Sequence, residues 1–223
     1  MTAEREPAHV ATWIGLAIAL VGFPVLSYAV PARLGPVAQT LVREAICWTL
    51  AALVLLILVR WERCPLRSIG LVRPRWRSVL LGLLGFLGLS IVYGLATALQ
   101  ATFHLPGHGR GLAQLLALPV WLRVLLVVRA GVVEEILYRG YPIERIAWLS
   151  GSRWAGALVP IAIFSLAHVP FWGVAYLLVV LPGAVVLTCL YLWRRDLTVN
   201  MVAHFLADCV GIVIVPMVSA ALA

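Results

Sequence analysis

The chain has no lysine; every one of its 17 basic residues is an arginine. A coding bias toward GC-rich sequence accounts for that, and no chemistry is drawn from it. Charge is scarce altogether, with 12% of the 223 residues charged and 63% hydrophobic. A soluble domain of this size carries about twice that share of charge. The composition therefore excludes one and requires a polytopic membrane protein. The four cysteines, Cys47, Cys64, Cys189 and Cys209, form no CxxC or other metal-ligand spacing. Most lie in apolar runs, where a thiol behaves as a small hydrophobe, and no structural disulfide is expected. A serine elbow (GxSxG) and a zinc-protease motif (HExxH) are missing as well. Those two hydrolytic chemistries thus lack their residues. No soluble domain, long linker, low-complexity tract or internal repeat interrupts the chain, which reads as one integral membrane domain over 1–223.

What is present is a series of apolar runs. About 20 apolar residues suffice to cross the hydrocarbon core, and seven segments qualify: roughly 10–30, 41–59, 79–100, 112–139, 153–168, 172–193 and 197–217. The expected fold is all-α, a transmembrane bundle of seven helices enclosing a polar cavity, with an eighth or re-entrant piece not excluded. The fourth run is long and carries charge, and the fifth is short. The first is too long for a signal-peptide core, and its leading Glu4, Arg5 and Glu6 are not cationic overall, so it is expected to be retained. Prolines 119, 160 and 182 fall inside apolar runs, where kinks are expected. Gly82, Gly85 and Gly88 recur at helical spacing and would let a neighbouring helix approach.

The net charge of +8 sits largely in short loops and does not call for nucleic acid. Residues 60–78 hold Arg60, Arg63, Arg67, Arg73, Arg75 and Arg77 against one acid, Glu62. By the positive-inside rule that loop is cytoplasmic. Alternation then puts the N-terminus, the 140–152 loop and the 194–196 turn on the same side. The opposite side receives Arg33, Arg43 and Arg110.

Three polar clusters break the apolar pattern in the second half. Glu134-Glu135-Ile-Leu-Tyr-Arg139 is an EExxxR run at membrane depth. On a helix Glu135 and Arg139 share a face and can pair, while Glu134 points about 100° away and is free for other work. Phe164-Ser-Leu-Ala-His168 is FxxxH, and His204-Phe-Leu-Ala-Asp208 is HxxxD, with imidazole and carboxylate on one face. Any one cluster has a bland reading: an interfacial ion pair, or a hydrogen-bonded packing histidine. Three carboxylates and two histidines in apolar helices are costly to bury and mark a functional site.

These motifs, in this order on consecutive helices, resemble the CAAX protease and bacteriocin-processing family, which includes the type II CAAX prenyl endopeptidases. The resemblance covers roughly residues 115–217. It implies an intramembrane glutamate protease in a multi-pass protein of a bacterial cell membrane. Glu134 would be the general base and His168 its partner in activating water. Glu135 and Arg139 would organise the site, and His204 and Asp208 would face the developing oxyanion. The substrate would be a peptide or protein, lipidated substrates included, met among membrane lipids and without nucleic acid. The well-known prenyl endopeptidases carry asparagine where this chain has Asp208. An ionised aspartate only accepts hydrogen bonds, so the oxyanion role is expected to rest mainly on His204. No cofactor is implied. Glu134, His168 and His204 would also make the His₂Glu set that catalytic zinc uses, and that alternative stays open.

Rival readings are a non-catalytic membrane protein, such as an immunity factor or peptide-binding scaffold, and a small transporter or proton relay. His9, His104 and His108 are expected to be solvated, and the nine tryptophans to form an interfacial belt. Arg123 and Arg129 are expected to snorkel toward the surface, with contact to a substrate carboxylate as the alternative.

Overall fold

The computed structural model describes residues 9–31, 33–105 and 109–222, and these contain helices and no strand. His108 lies outside them. The helices are α1 (His9–Tyr28), α2 (Pro36–Leu56), α3 (Trp76–Thr102), α4 (Gly109–Leu116), α5 (Val120–Arg129), α6 (Tyr141–Ser150), α7 (Arg153–Trp172), α8 (Leu177–Arg194), α9 (Leu197–Asp208) and α10 (Val215–Leu222). One π-helical turn continues α2 to Trp61, and another, Cys209–Ile214, joins α9 to α10. Six of the resulting rods are long and apolar enough to cross a membrane. A seventh passes through the bundle as α5 and α6, fused by the π turns Ala130–Glu134 and Ile136–Gly140. From Val120 to Ser150 that rod measures about 45 Å at 1.5 Å per residue.

The all-α expectation stands, with two boundaries corrected. The fourth run does not begin as one helix at 112. Pro119 lacks an N–H and disfavours a helical residue before it, so α4 stops at Leu116 and Pro119 caps α5. Pro119 is therefore a helix boundary and not a kink; Pro160 and Pro182 do lie inside α7 and α8. The fifth run is not short, since α7 extends to Trp172. Its start is set by Ser152, whose hydroxyl accepts from the Ala155 N–H at 3.2 Å. Asp196 caps α9 by accepting from the Thr198 N–H at 3.0 Å.

Packing follows the small residues. A Cβ on Gly82 would lie 2.6 Å from the Val202 side chain, and one on Gly85 would lie 3.1 Å from Ala203, so α3 and α9 touch nearly backbone to backbone. Gly88 faces open space and has no such role. The opposite face of α3 presents Leu80, Leu84, Leu87, Ile91 and Leu95, all exposed. With no other apolar phase available, that surface meets lipid.

The arginine-rich loops meet at one end of the bundle. Buried Glu62 accepts from Thr12 (2.7 Å), Tyr141 (2.7 Å) and Arg145 Nε (2.8 Å). Arg195 pairs with Glu144, and Ser78 donates to Asp196 at 2.6 Å. The Leu197 N–H donates to the Gly70 carbonyl at 2.8 Å, and the His9 ring packs on Trp148. These contacts gather the start of α1, the 62–75 loop, α6 and the 195–196 turn on one side, as span alternation required.

Candidate active site

The two π turns determine where the acidic pair points. A π turn closes i to i+5, against i to i+4 in an α-helix. Arg129 and Glu134, five apart and well separated around an α-helix, are brought together by the Ala130–Glu134 turn, and the Arg129 guanidinium pairs with Glu134 Oε1. Arg129 Nε also donates to Glu44 Oε1 of α2 at 3.0 Å. Arg129 therefore does not snorkel: it is a nearly buried bridge between two carboxylates. Arg123 does not snorkel either, because its Nη1 donates to the Ile212 carbonyl at 3.0 Å from a buried position. Glu134 is thus less free than its helical phase alone suggests, since one of its oxygens is taken.

Glu135 is 0% exposed. Its Oε1 accepts from Arg139 Nη1 at 3.0 Å and meets His204 Nδ1 at 2.7 Å, while Oε2 accepts from Asn200 Nδ2 at 3.1 Å. The same amide nitrogen donates to the Leu187 carbonyl of α8 at 2.7 Å. One carboxylate thereby ties its own rod to α9, and the Asn200 amide extends the tie to α8. The Arg139 guanidinium lies over the Phe164 ring, 4.2 Å from its centroid, which adds α7. Phe164 also offers its carbonyl to His168 Nδ1 at 2.7 Å. Because a carbonyl only accepts, Nδ1 carries the proton and Nε2 is the nitrogen left available. His204 is oriented in the same way: Nδ1–H faces Glu135, and Nε2 lies 3.6 Å from Asp208 Oδ2 and 4.0 Å from Glu134 Oε2.

Glu134, His168, His204 and Asp208, from three separate rods, line one cavity of about 1080 Å³. Glu135 and Arg139 stand behind its wall. Its deeper surface is apolar and aromatic, with Leu137, Tyr138, Phe164 and Val180 among the residues there. Trp172, the last residue of α7, lines it too, stacked on Tyr176 at 4.7 Å. Among the described residues no set of three or more His, Cys, Asp or Glu side chains is arranged to hold a metal ion. A carboxylate and an imidazole facing one wet hollow can move a proton to and from water, and an N–H directed into it can meet a developing oxyanion.

Gly131 permits this convergence. A Cβ there would sit 2.9 Å from Phe205 Cβ and 3.1 Å from the Met201 carbonyl, so the π turn lies against α9 only because the side chain is absent. Gly131→Ala is expected to push α9 outward, separating His204 from Glu134. A displacement near 1 Å costs roughly a hundredfold in rate. Turnover per folded molecule, compared with the parent protein, checks this.

Asn200, Arg129 and Glu44 take part in the site without belonging to any of the three motifs. Asn200 lies one helical turn before His204, on the same face, which was the available signal. Glu44 lies in an unrelated apolar run, and nothing in the sequence joined it to Arg129.

Residues 116–210 match the family model described as Rce1-like, type II CAAX prenyl endopeptidase Rce1-like. No curated protein and no solved structure matches the chain. The match spans less than half of the chain and likens this segment to CAAX-protease-like membrane endopeptidases.

Proposed function

We propose that the Rce1-like segment uses Glu134 as a general base to hydrolyse a peptide bond near or within the membrane, with residues about 115–217 as the catalytic core. The observation that carries this reading is the shared cavity, where Glu134 Oε2 and His204 Nε2 are 4.0 Å apart and His168 opens onto the same space.

A water held between Glu134 Oε2 and His168 Nε2 gives a proton to Glu134 as its oxygen attacks the scissile carbonyl carbon. The carbonyl π electrons move onto oxygen, and that oxyanion is met by the Nε2–H of a doubly protonated His204, whose Nδ1–H stays on Glu135. Collapse of the tetrahedral intermediate reforms the carbonyl and breaks the C–N bond. Glu134 returns its proton to the departing amine. Arg129 holds the spectator oxygen of Glu134, so the other oxygen keeps a fixed direction. Asp208, acceptor-only when ionised, does not donate to the oxyanion; its carboxylate faces His204 Nε2 from 3.6 Å. Preorganised donors of this kind are worth roughly 10²–10³ in rate.

The substrate is a peptide or protein reached among membrane lipids. The family name points to prenylated tails, and the apolar, aromatic depth of the cavity could bury a lipid or an apolar side chain. The test is incubation of purified protein with a lipidated-peptide library and mass spectrometry of the products, alongside Glu134→Ala and with a chelator. Products that depend on Glu134 and survive chelation are expected. Products that vanish on chelation would replace the metal-free mechanism by a metal-dependent one. Label transport without cleavage would favour a transporter.

A further inference from the structure

The cavity occupies only one half of the bundle. The chain crosses alternately, so each rod has an end at the arginine-rich side and an end opposite. From α1 the cavity takes Phe23, Pro24 and Ser27, the last turns before the opposite end; from α2 it takes the first turns, Pro36 to Cys47. The other rods contribute in the same sense, Tyr93 and Thr97 near the end of α3 and Val179 to Leu187 near the start of α8. Most exposed residues on its lining, Pro36, Gln114, Ala117 and Phe171 among them, lie at or near the opposite end, while exposed Leu166 of α7 and Gly211 mark a side facing lipid deeper along their rods. There α4 rests against α7, with Gly111 so close that a Cβ would lie 2.8 Å from the Phe171 carbonyl. The mouth is on that side.

Toward the arginine-rich end the way is shut. Leu137 and Tyr138 form the floor, both buried, and Tyr141 lies one turn further along the same rod. Tyr141 belongs to the Glu62 cluster with Thr12 and Arg145, whose acid is 3% exposed. Beyond it stand the Glu144–Arg195 pair and the Asp196–Ser78 bond.

The arginines decide which end faces the cytoplasm. The closed end carries the six of residues 60–78, joined by Arg145, Arg153, Arg194 and Arg195. The mouth end has Arg33, Arg43, Arg110 and Arg123, and Arg123 is spent on a backbone carbonyl. The rule counts basic residues near span ends and gives acids little weight, so the closed end is cytoplasmic.

We propose that the cavity opens to the extracytoplasmic face and takes its substrate from there, as a polypeptide segment already translocated or held in the outer half of the bilayer. A tail displayed in the cytoplasm would meet the Glu62 plug instead. The word substrate rests on the endopeptidase reading; the sidedness does not.

The test is labelling of the full chain in intact cells with a membrane-impermeant maleimide, wild type serving as the background for the native cysteines. Gln114→Cys reports the mouth and Arg73→Cys the arginine-rich loop, with Ala117→Cys as a second mouth position should the first variant express poorly. The expected result is labelling at 114 or 117 in intact cells, with position 73 labelled only after the membrane is opened. The reverse pattern, or equal labelling of both positions from outside, overturns the proposal. Glu134→Ala in the same backgrounds is expected to label identically, because labelling needs no turnover. Correct labelling with no peptide cut by the purified protein would sink the endopeptidase reading and leave the sidedness standing.

Discussion

Glu134→Gln is expected to lower kcat by about 10²–10⁴-fold, the range a positioned general base supplies, while the protein still inserts and folds. The substitution keeps the shape of the side chain and leaves an amide oxygen to accept from Arg129. Arg129 also retains its contact with Glu44 at 3.0 Å, so no buried guanidinium is stranded. What disappears is the capacity to take a proton from water. His168→Ala is expected to fall in the same range for a different reason: it removes the ring nitrogen that holds the attacking water, while Phe164 and Arg139 keep their stacking. Combining the two should cost little more than either alone, because groups acting as one unit are strongly non-additive. Single-turnover cleavage of a peptide found by the library screen, normalised to folded protein, is the measurement. Full turnover by Glu134→Gln would remove the base from its assigned role.

Much of this site was legible as spacing. Four-residue intervals predicted the Glu135–Arg139 pair, found at 3.0 Å, and the approach of His204 to Asp208, found at 3.6 Å. The phase difference between adjacent residues predicted that Glu134 and Glu135 face different surroundings, and one lines the cavity while the other is sealed behind it. Span alternation placed the arginine loops together. Two physical effects hid the rest. An α-helix turns about 100° per residue, and the π turn at Ala130–Glu134 breaks that period, so Arg129, expected to snorkel, reaches Glu134 instead. The link from Arg129 to Glu44 spans 85 positions, and the Asn200 contact with Glu135 spans 65; such long-range pairs leave no local trace. The FxxxH motif held more than its histidine, since Phe164 supplies both a carbonyl to His168 and a ring to Arg139.

Glu135→Ala is expected to destabilise the folded protein by about 3–5 kcal/mol, the cost of leaving a buried charge without its partner, and to abolish cleavage as well. Arg139 is 1% exposed, so its guanidinium cannot turn to water when the carboxylate is gone. Asn200 Nδ2 would keep its bond to the Leu187 carbonyl, and Phe164 its stacking, which limits the damage to α7 and α8. His204 would lose the acceptor that fixes its Nδ1–H, so Nε2 would no longer be held between Glu134 and Asp208. Arg195→Ala provides the contrast. That side chain is 58% exposed in its pair with Glu144, and an exposed pair is worth about 0–1 kcal/mol. Glu135→Gln separates the two consequences. An amide of the same shape can still accept from both Arg139 and His204 through an oxygen at the Oε1 position, so it should recover part of the stability. Its NH₂ then faces the Asn200 amide, and a neutral oxygen holds the His204 Nδ1–H less firmly than a carboxylate does, so activity should stay below parental. Thermal unfolding in detergent read beside turnover distinguishes the cases. A Glu135→Gln protein with parental stability and parental rate would show that Glu135 does not position His204.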